Sequence, residues 1–278
     1  MNHWPRVVDT LAAGAEDASM TAIIPIPAFS DNYIWLLVRG SLAAVVDPGD
    51  AAPVLAYLER EGLELTAILA THHHRDHVGG NPALLTRFDV PVFGPARETI
   101  PGRTLALGDG DRIIVPGIDA TFDVIDVPGH TAGHIAYFGT VGDAPSLFCG
   151  DTLFTGGCGR LFEGTPAQMW SSLSALAALP AETRVYCGHE YTLANLRFAL
   201  AVEPSNAQLQ SRMMDAQQKR QRGEPTVPST MGEERATNPF LRAHLPPVVD
   251  AAAAHIGHRP PDDVASFAAL RTWKNGFQ

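Results

Sequence analysis

The heptapeptide Thr71-His72-His73-His74-Arg75-Asp76-His77 directly follows an apolar run at residues 67–70. Alternate residues of an extended segment point to the same side, so His72 and His74 can share one side while His73 points away. Asp76 and His77 come directly after them and can face a second ion. Imidazole and carboxylate groups at this spacing predict a metal site at the end of a buried strand.

Other apolar runs of the chain also end in residue types that bind metals. Ligand sites of open α/β sheets lie outside the carboxyl ends of the strands, so groups far apart in sequence can converge there. Glycines directly beside several of them allow tight turns and close approach of the backbone. The candidate ligands are five imidazoles and two carboxylates, enough for two metal ions: His72, His74, Asp76, His77, His130, Asp151 and His189.

Several neighbouring residues are not expected to be ligands. His134 opens the next strand, and Cys149 and Cys187 lie in apolar strands as small buried side chains. Cys158 lies in a glycine-rich loop beside the expected site, where the ligand set is already complete. Asp47 ends a strand before Pro48-Gly49 and has two readings of equal weight, an ordinary turn residue or a partner that orients a ligand imidazole.

The chain has 278 residues, which predicts one large α/β domain and a smaller one. Strand and helix patterns alternate over residues 21–189, including a short helix at 83–88. Beyond residue 190 the strand signal stops, so residues 190–278 are predicted to form a helical domain. Its helices are predicted at 193–202, 206–221 and 262–273, with a proline-rich connection of little periodicity at 224–247. Residues 1–20 are expected to be a poorly ordered extension.

The composition of the chain disfavours two classes of binding partner, nucleic acids and membranes. The net charge of −10 disfavours nucleic-acid binding, which needs a basic surface. No apolar stretch approaches the roughly 18 residues of a membrane span. The three cysteines form no C-x-x-C pair and no disulfide framework, which fits a reducing compartment. We expect a cytoplasmic monomer that binds neither nucleic acid nor membrane.

The ligand pattern resembles the H-x-H-x-D-H signature of the metallo-β-lactamase superfamily. Further motifs over residues 21–278 resemble one family within it, glyoxalase II, the hydroxyacylglutathione hydrolases. These motifs are Asp31-Asn32-Tyr33-Ile34-Trp35, Gly150-Asp151-Thr152-Leu153-Phe154, Gly157-Cys158-Gly159-Arg160, Gly188-His189-Glu190-Tyr191 and Glu224-Pro225-Thr226-Val227-Pro228-Ser229.

The resemblance implies an α/β (α+β) fold, a four-layer αβ/βα sandwich followed by a C-terminal helical domain. It implies two divalent metal ions per chain, with zinc favoured and iron or manganese as alternatives. One ion would be held by His72, His74 and His130, the other by Asp76, His77 and His189, with Asp151 bridging them. Asp76 and Asp151 then take part in catalysis by holding the ions around a bridging hydroxide, the nucleophile.

The resemblance also implies the reaction. A thioester suits such a site because its thiol leaves readily as thiolate. The expected substrate is an S-(2-hydroxyacyl)glutathione, above all S-D-lactoylglutathione, cleaved to glutathione and D-lactate in the second step of methylglyoxal detoxification. By the same resemblance the tripeptide is bound by Arg160, Tyr191, Arg271 and Lys274.

Two departures from the family pattern concern that binding. Arg160 stands where some members have lysine, and Phe162 stands where some have tyrosine, which removes a hydroxyl contact. Without the resemblance, Arg271 and Lys274, three residues apart, would be read as a solvated basic face of a helix.

Three other functions compete with this one. A glutathione persulfide dioxygenase would use one iron on the same scaffold. A lactonase or β-lactam hydrolase would need no pocket for a charged tripeptide. A non-enzymatic metal-binding module would need only a closed site, fewer ligands than the seven found here.

Overall fold

The computed structural model describes residues 20–277, which divide into two compact units. The first contains the described residues up to Asp126 together with Gly133–Gly150, and the second contains Val127–Ala132 and the residues from Asp151 onwards. The expected poorly ordered extension, residues 1–20, lies outside the described residues apart from Met20. The predicted domain boundary between residues 189 and 190 rests on where the strand pattern of the sequence ends. The two compact units are defined instead by which residues pack together, so this boundary stays a prediction.

A six-stranded sheet in chain order forms the first half of the first unit. Its strands are β1 (Ala22–Ala28), β2 (Asn32–Arg39), β3 (Leu42–Val46), β4 (Glu64–Leu69), β5 (Val92–Pro95) and β6 (Leu105–Leu107). The first three pair antiparallel, and β3 to β6 pair in parallel. Because β3 and β4 are parallel, they end at the same edge of the sheet, where the Asp47 amide donates to the Leu69 carbonyl at 2.9 Å.

Three helices follow strands of this sheet, namely α1 (Ala51–Glu61), α2 (Arg75–Val78) and α3 (Asn81–Leu85). The Asp50 side chain accepts from the Ala52 amide and caps the start of α1, and Gly62, at φ +64°, ends it. Buried residues of α1 and α3 share an apolar core with one face of the sheet. The predicted helix at 83–88 instead spans Asn81–Leu85, because Pro82 lies within the first turn rather than before it.

A four-stranded antiparallel meander completes the first unit. It consists of β7 (Arg112–Ile114), β8 (Ala120–Asp126), β9 (Ile135–Val141) and β10 (Ala144–Gly150). The rings of Phe122, Tyr137 and Phe148 pack edge to face and are buried. The Tyr137 hydroxyl donates to the Ala70 carbonyl just beyond β4 at 2.9 Å, so the meander contacts the first sheet near the end of β4.

The second unit is mostly helical. Its short strands are β11 (Leu153–Phe154), β12 (Gly157–Cys158), β13 (Arg184–Cys187) and β14 (Ser229–Thr230). Its helices are α4 (Pro166–Ala177), α5 (Thr192–Val202), α6 (Ala207–Gln221), α7 (Met231–Thr237), α8 (Pro246–Ile256) and α9 (Asp263–Gly276). Phe198, Phe240 and Phe267 are fully buried and pack together. Nowhere among residues 20–277 is a helix both long and apolar enough to cross a membrane.

The expectation of little regular structure at 224–247 is wrong. This stretch contains β14, all of α7 and the start of α8. Thr230 and Glu233 form a capping box at the start of α7. Pro246 and Pro247 occupy the first turn of α8, where proline's missing amide costs nothing. Proline therefore starts a helix here, whereas the proline-rich sequence favours a loop.

The Tyr137 hydrogen bond predicts a stability effect. Burial raises the pKa of the Tyr137 phenol well above its usual value, so the hydroxyl stays a neutral donor. Tyr137→Phe removes the donor and leaves the buried Ala70 carbonyl without it, which should cost about 1–3 kcal/mol of unfolding free energy. Urea denaturation should show a lower midpoint at an unchanged slope. An unchanged midpoint would show that this bond contributes nothing to stability.

Candidate metal centre

The turn after β4 presents two imidazoles to each other. His72 is fully buried, and its Nε2 lies 3.2 Å from Nδ1 of His74. His73, between them, turns its Nδ1 to the carboxylate of Glu98 at 3.0 Å. This is the alternation expected of an extended segment.

Asp76 and His77 follow on the short helix α2. Nε2 of His77 lies 3.6 Å from Oδ2 of Asp76, and the ring centroids of His72 and His77 are 4.2 Å apart. Asn32, at the start of β2, donates its side-chain amide to Oδ2 of Asp76 at 3.0 Å. A Cβ on Gly49 would lie 1.8 Å from the Asp76 carbonyl oxygen, so this approach requires glycine.

Asp47 decides the orientation of two of these imidazoles. Its carboxylate accepts from the Thr71 amide at 2.8 Å, from the Thr71 hydroxyl at 2.7 Å and from Nδ1 of His77 at 3.1 Å. Asp47 has a φ of +53°, a backbone conformation that aspartate tolerates better than most residues. Of the two readings of Asp47, the contacts therefore support the orienting partner.

The same contacts fix tautomers. A carboxylate only accepts hydrogen bonds, so Nδ1 of His77 carries the proton and Nε2 carries the lone pair. The Thr71 hydroxyl gives its one proton to Asp47 and can therefore only accept from Nδ1 of His72, 3.0 Å away. His72 and His77 thus both have lone pairs at Nε2, as metal coordination requires.

The three remaining candidate ligands lie together in the second unit. Oδ2 of Asp151 is 3.4 Å from Nε2 of His130 and 3.3 Å from Nε2 of His189, and all three residues are buried. Nδ1 of His130 lies 2.9 Å from the Arg160 carbonyl oxygen, so it is the protonated nitrogen. A Cβ on Gly159 would lie 1.9 Å from the Asp151 carbonyl oxygen, so glycine is required here as well.

These tautomers indicate that a cation belongs in the site. Nε2 of His130, with a lone pair, faces a carboxylate oxygen of Asp151, and Nε2 of His77 faces Asp76 in the same way. Two acceptors facing each other repel unless a positive charge lies between them, most strongly in the buried pair of His130 and Asp151. The donor set therefore fits a bound metal ion.

Residues expected not to be ligands have other contacts. His134 stacks on His72 with ring centroids 4.5 Å apart, and its Nδ1 lies near the Ile135 carbonyl oxygen. Cys158 is buried beside Arg271, which donates to its carbonyl oxygen at 2.7 Å and lies 3.7 Å from its Sγ. Burial raises the pKa of Cys187 to about 12.

Cationic side chains of the second unit group around α9. Arg271 is only 6% exposed, donates to the Cys158 carbonyl at 2.7 Å and lies over the Phe240 ring. The Lys274 amine donates to the Ala194 carbonyl at 2.8 Å. These contacts contradict the alternative of a solvated basic face.

Burial lowers the pKa of Lys274 to about 8, helped by the neighbouring charges of Arg271, Arg197 and Arg160. Sequence reasoning missed Arg197, because a single arginine on a helix gives no pattern. Tyr191 is 38% exposed and stacks on His189, with ring centroids 4.7 Å apart. The four residues expected to bind substrate thus lie in one unit, and Arg197 joins them.

Known proteins resemble both parts of the chain. The family model described as "Metallo-beta-lactamase superfamily" matches residues 29–189, and "Hydroxyacylglutathione hydrolase C-terminus" matches residues 190–277. A hydroxyacylglutathione hydrolase of Alkalilimnicola ehrlichii is 61% identical over 258 residues, 92% of this chain and 99% of that protein. One of Cupriavidus taiwanensis is 54% identical over 267 residues, 93% of this chain and 100% of that protein.

Solved structures resemble the chain as well. The crystal structure of TTHA1623 in a di-iron-bound form is 28% identical, with a TM-score of 0.53, and the match covers 79% of this chain and 99% of that one. ETHE1 from Myxococcus xanthus has a TM-score of 0.61 over 93% of this chain and 100% of that one. At 24% identity the second likeness shows the fold alone.

The Asp47 contacts predict a loss of metal affinity. Asp47→Ala removes the acceptor that keeps His77 and, through Thr71, His72 in their metal-binding tautomers. Zinc affinity, measured by competition with a chromogenic chelator, should fall about 10–100-fold. Asp119→Asn, at an exposed turn position, is the control and should bind zinc like the wild type. Equal affinities in the Asp47 variant and the control would return Asp47 to a plain turn residue.

Proposed function

The chain belongs to the hydroxyacylglutathione hydrolase family of the metallo-beta-lactamase superfamily, and from this premise we propose that it hydrolyses the thioester of S-(2-hydroxyacyl)glutathiones. The expected fold class, a metallo-β-lactamase fold with a C-terminal helical region, is confirmed by the family and its structural relatives. The observation that carries the proposal is the joint presence of a metal-binding donor set and a group of cations.

A divalent metal site follows from the family and from the clustered histidine and aspartate side chains. We assign one ion to His72, His74 and His130, a second to Asp76, His77 and His189, and the bridging position to Asp151. Two ions with imidazole and carboxylate ligands favour zinc, with iron or manganese as the alternatives. Such ions, when bound, supply an activated water at neutral pH and polarise the substrate carbonyl.

The chain's own residues keep this donor set ready. Asp47 and Thr71 hold the protons of two imidazoles at Nδ1, and the Arg160 carbonyl does the same for His130. The thiol leaving group has a pKa of roughly 8–9, so it departs as thiolate without a general acid. No protein side chain is needed to protonate it.

Binding of the tripeptide is assigned to Arg160, Tyr191, Arg271 and Lys274. Glutathione carries carboxylates, and grouped guanidinium and ammonium donors form charge-assisted hydrogen bonds with such anions. No ion pair within residues 20–277 joins Arg160, Arg197 or Lys274 to a carboxylate at 4.0 Å or less. An incoming carboxylate therefore does not have to displace an acidic side chain. Phe162, 64% exposed, brings no hydroxyl to this binding.

The finer assignment follows from the family. We propose S-D-lactoylglutathione as the substrate, D-lactate and glutathione as the products, and a cytoplasmic monomer acting in methylglyoxal detoxification. The three cysteines are free thiols, in keeping with a reducing compartment. The dioxygenase and lactonase alternatives are not favoured, since relatives 54% and 61% identical over nearly their full length are hydroxyacylglutathione hydrolases.

The decisive experiment compares two substrates and two variants. The wild type should release thiol from S-D-lactoylglutathione with a kcat/KM at least tenfold above that for a lactoyl thioester of a small neutral thiol. The tripeptide's binding energy positions the carbonyl, and the small thioester lacks it. Equal values for the two substrates would indicate a general thioesterase.

The variants His72→Ala and Asp151→Ala should abolish turnover of both substrates. Each loses part of the donor set, so metal analysis should show fewer than two ions per chain. His258→Ala, which removes an exposed imidazole, is the control and should keep both activity and metal. A His72 or Asp151 variant that kept near wild-type kcat with two ions bound would show that the ligand assignment is wrong.

The lowered pKa of Lys274 predicts that binding of the glutathione thioester depends on pH. With its pKa lowered to about 8, the ammonium is present at pH 7 and lost as pH rises towards 9. KM for S-D-lactoylglutathione should therefore rise over this interval more than KM for the small thioester. Lys274→Arg keeps its charge at all these pH values and should flatten the rise. A Lys274→Arg profile as steep as that of the wild type would exclude Lys274 as its source.

A further inference from the structure

Glu98 is a buried carboxylate in the first unit, in the turn that follows β5. Its side chain is only 3% exposed. A buried carboxylate is costly unless hydrogen bonds compensate for lost hydration. Arg103 holds the turn in place by donating to the carbonyls of Pro95 and Glu98, the latter at 2.6 Å.

The two oxygens of this carboxylate contact two different segments. Oε2 lies 3.0 Å from Nδ1 of His73, and Oε1 accepts from the Gly133 amide at 3.0 Å. The carboxylate only accepts hydrogen bonds, so His73 donates from Nδ1. Glu98 therefore links the turn after β4 to the segment that leads into β9.

The first of these contacts supports His72 through the backbone. His73 is the middle residue of the His72–His74 turn, and its side chain points to the opposite side from its neighbours. Anchoring the His73 ring fixes the two peptide groups on either side of it. The 3.2 Å approach of the His72 and His74 nitrogens depends on those peptide groups.

The second contact supports His72 from its ring face. Gly133 precedes His134, whose ring stacks on His72 at an interplanar angle of 15°. The His134 ring also packs closely against the backbone of Gly150, where a Cβ would come within 2.8 Å of its Nε2. Holding the Gly133 amide therefore helps to keep the neighbouring His134 ring stacked on His72.

We propose that Glu98 is a positioning residue that fixes the orientation of His72 through both of these supports, and so raises the affinity of the metal site. This inference rests on the proposed function, because it takes His72 as a metal ligand. Glu98 itself contacts neither the metal ion nor the substrate in this role.

The test measures zinc affinity by chelator competition in Glu98→Ala, Glu98→Gln and the wild type. Glu98→Ala should bind zinc about tenfold or more weakly, as expected when an outer partner of a ligand is lost. Glu98→Gln keeps an oxygen for the Gly133 amide and should lie between Glu98→Ala and the wild type. Glu64→Gln, at an exposed position of β4, should leave the affinity unchanged.

A double-mutant cycle with His73→Ala separates positioning from general stability. If Glu98 acts through His73, the zinc affinities of Glu98→Ala, His73→Ala and the double variant should be non-additive. Steady-state kinetics should show a lower kcat at subsaturating zinc and an unchanged KM for the glutathione thioester. Glu98→Ala with a lowered melting temperature but wild-type zinc affinity would overturn the proposal.

Glu98→Gln covers the case in which Glu98→Ala does not fold, because it preserves the volume and one hydrogen bond. Wild-type zinc affinity in both Glu98→Gln and His73→Ala would then also overturn the proposal. Failure of the proposed function would appear separately, as a wild type that binds zinc but does not hydrolyse glutathione thioesters. The affinity comparison does not depend on turnover.

Discussion

The proposed metal site depends on hydrogen bonds that fix the proton on Nδ1 in three of its five candidate imidazoles. Asp47 accepts from His77 directly and reaches His72 through the Thr71 hydroxyl. The Arg160 carbonyl accepts from His130. A neutral imidazole offers a lone pair at only one nitrogen, so the acceptor on the other side decides whether the outer nitrogen can bind a metal. The candidate ligands His72, His77 and His130 all obey this constraint, each with a different acceptor.

The backbone conformation at several strand ends also allows these hydrogen bonds to form. Asp47 and Gly150 both have positive φ where their strands end. At Gly150 a Cβ would come within 2.3 Å of the Thr71 hydroxyl, which carries the hydrogen bond from His72 to Asp47. Gly159 allows Asp151 and His130 an equally close approach in the second unit. The backbone conformations at these strand ends therefore allow close packing around the candidate ligands and their hydrogen-bond partners, in addition to reversing the chain.

The sequence predicts the parts of this arrangement that are local. His72 and His74 alternate, strand β4 is apolar, and the helix α1 has a cap at each end, so each can be read within a short window. The contacts that orient the imidazoles depend on tertiary structure, so the sequence does not predict them. Asp47 reads equally well as a turn residue, and nothing in the sequence around Glu98 indicates its contact with His73. Helix α8 has no distinct local signal, because proline and alanine do not distinguish a helix start from a loop without the partner surface. Helix α7 does have one, the Thr230–Glu233 capping box, although the surrounding prolines favour a loop. The burial of Arg271 was likewise invisible, since its spacing from Lys274 also suits an exposed face.

The cationic side chains grouped around α9 belong to a chain with a net charge of −10. They are Arg160, Arg197, Arg271 and Lys274. A basic group within an acidic protein attracts anions only at short range, since solvent screens its field beyond about 8–10 Å. Burial and the neighbouring positive charges of Arg271, Arg197 and Arg160 hold the pKa of Lys274 at about 8. A bound carboxylate would reverse this balance and favour the ammonium form. Binding of an anionic ligand and protonation of Lys274 are therefore linked, and above pH 8 the bound state takes up a proton that the free state lacks. In the proposed binding group, selectivity for an anion would thus arise from Arg160, Arg197 and Lys274, which no carboxylate within residues 20–277 approaches to 4.0 Å or less, and it needs no long-range attraction by the protein as a whole.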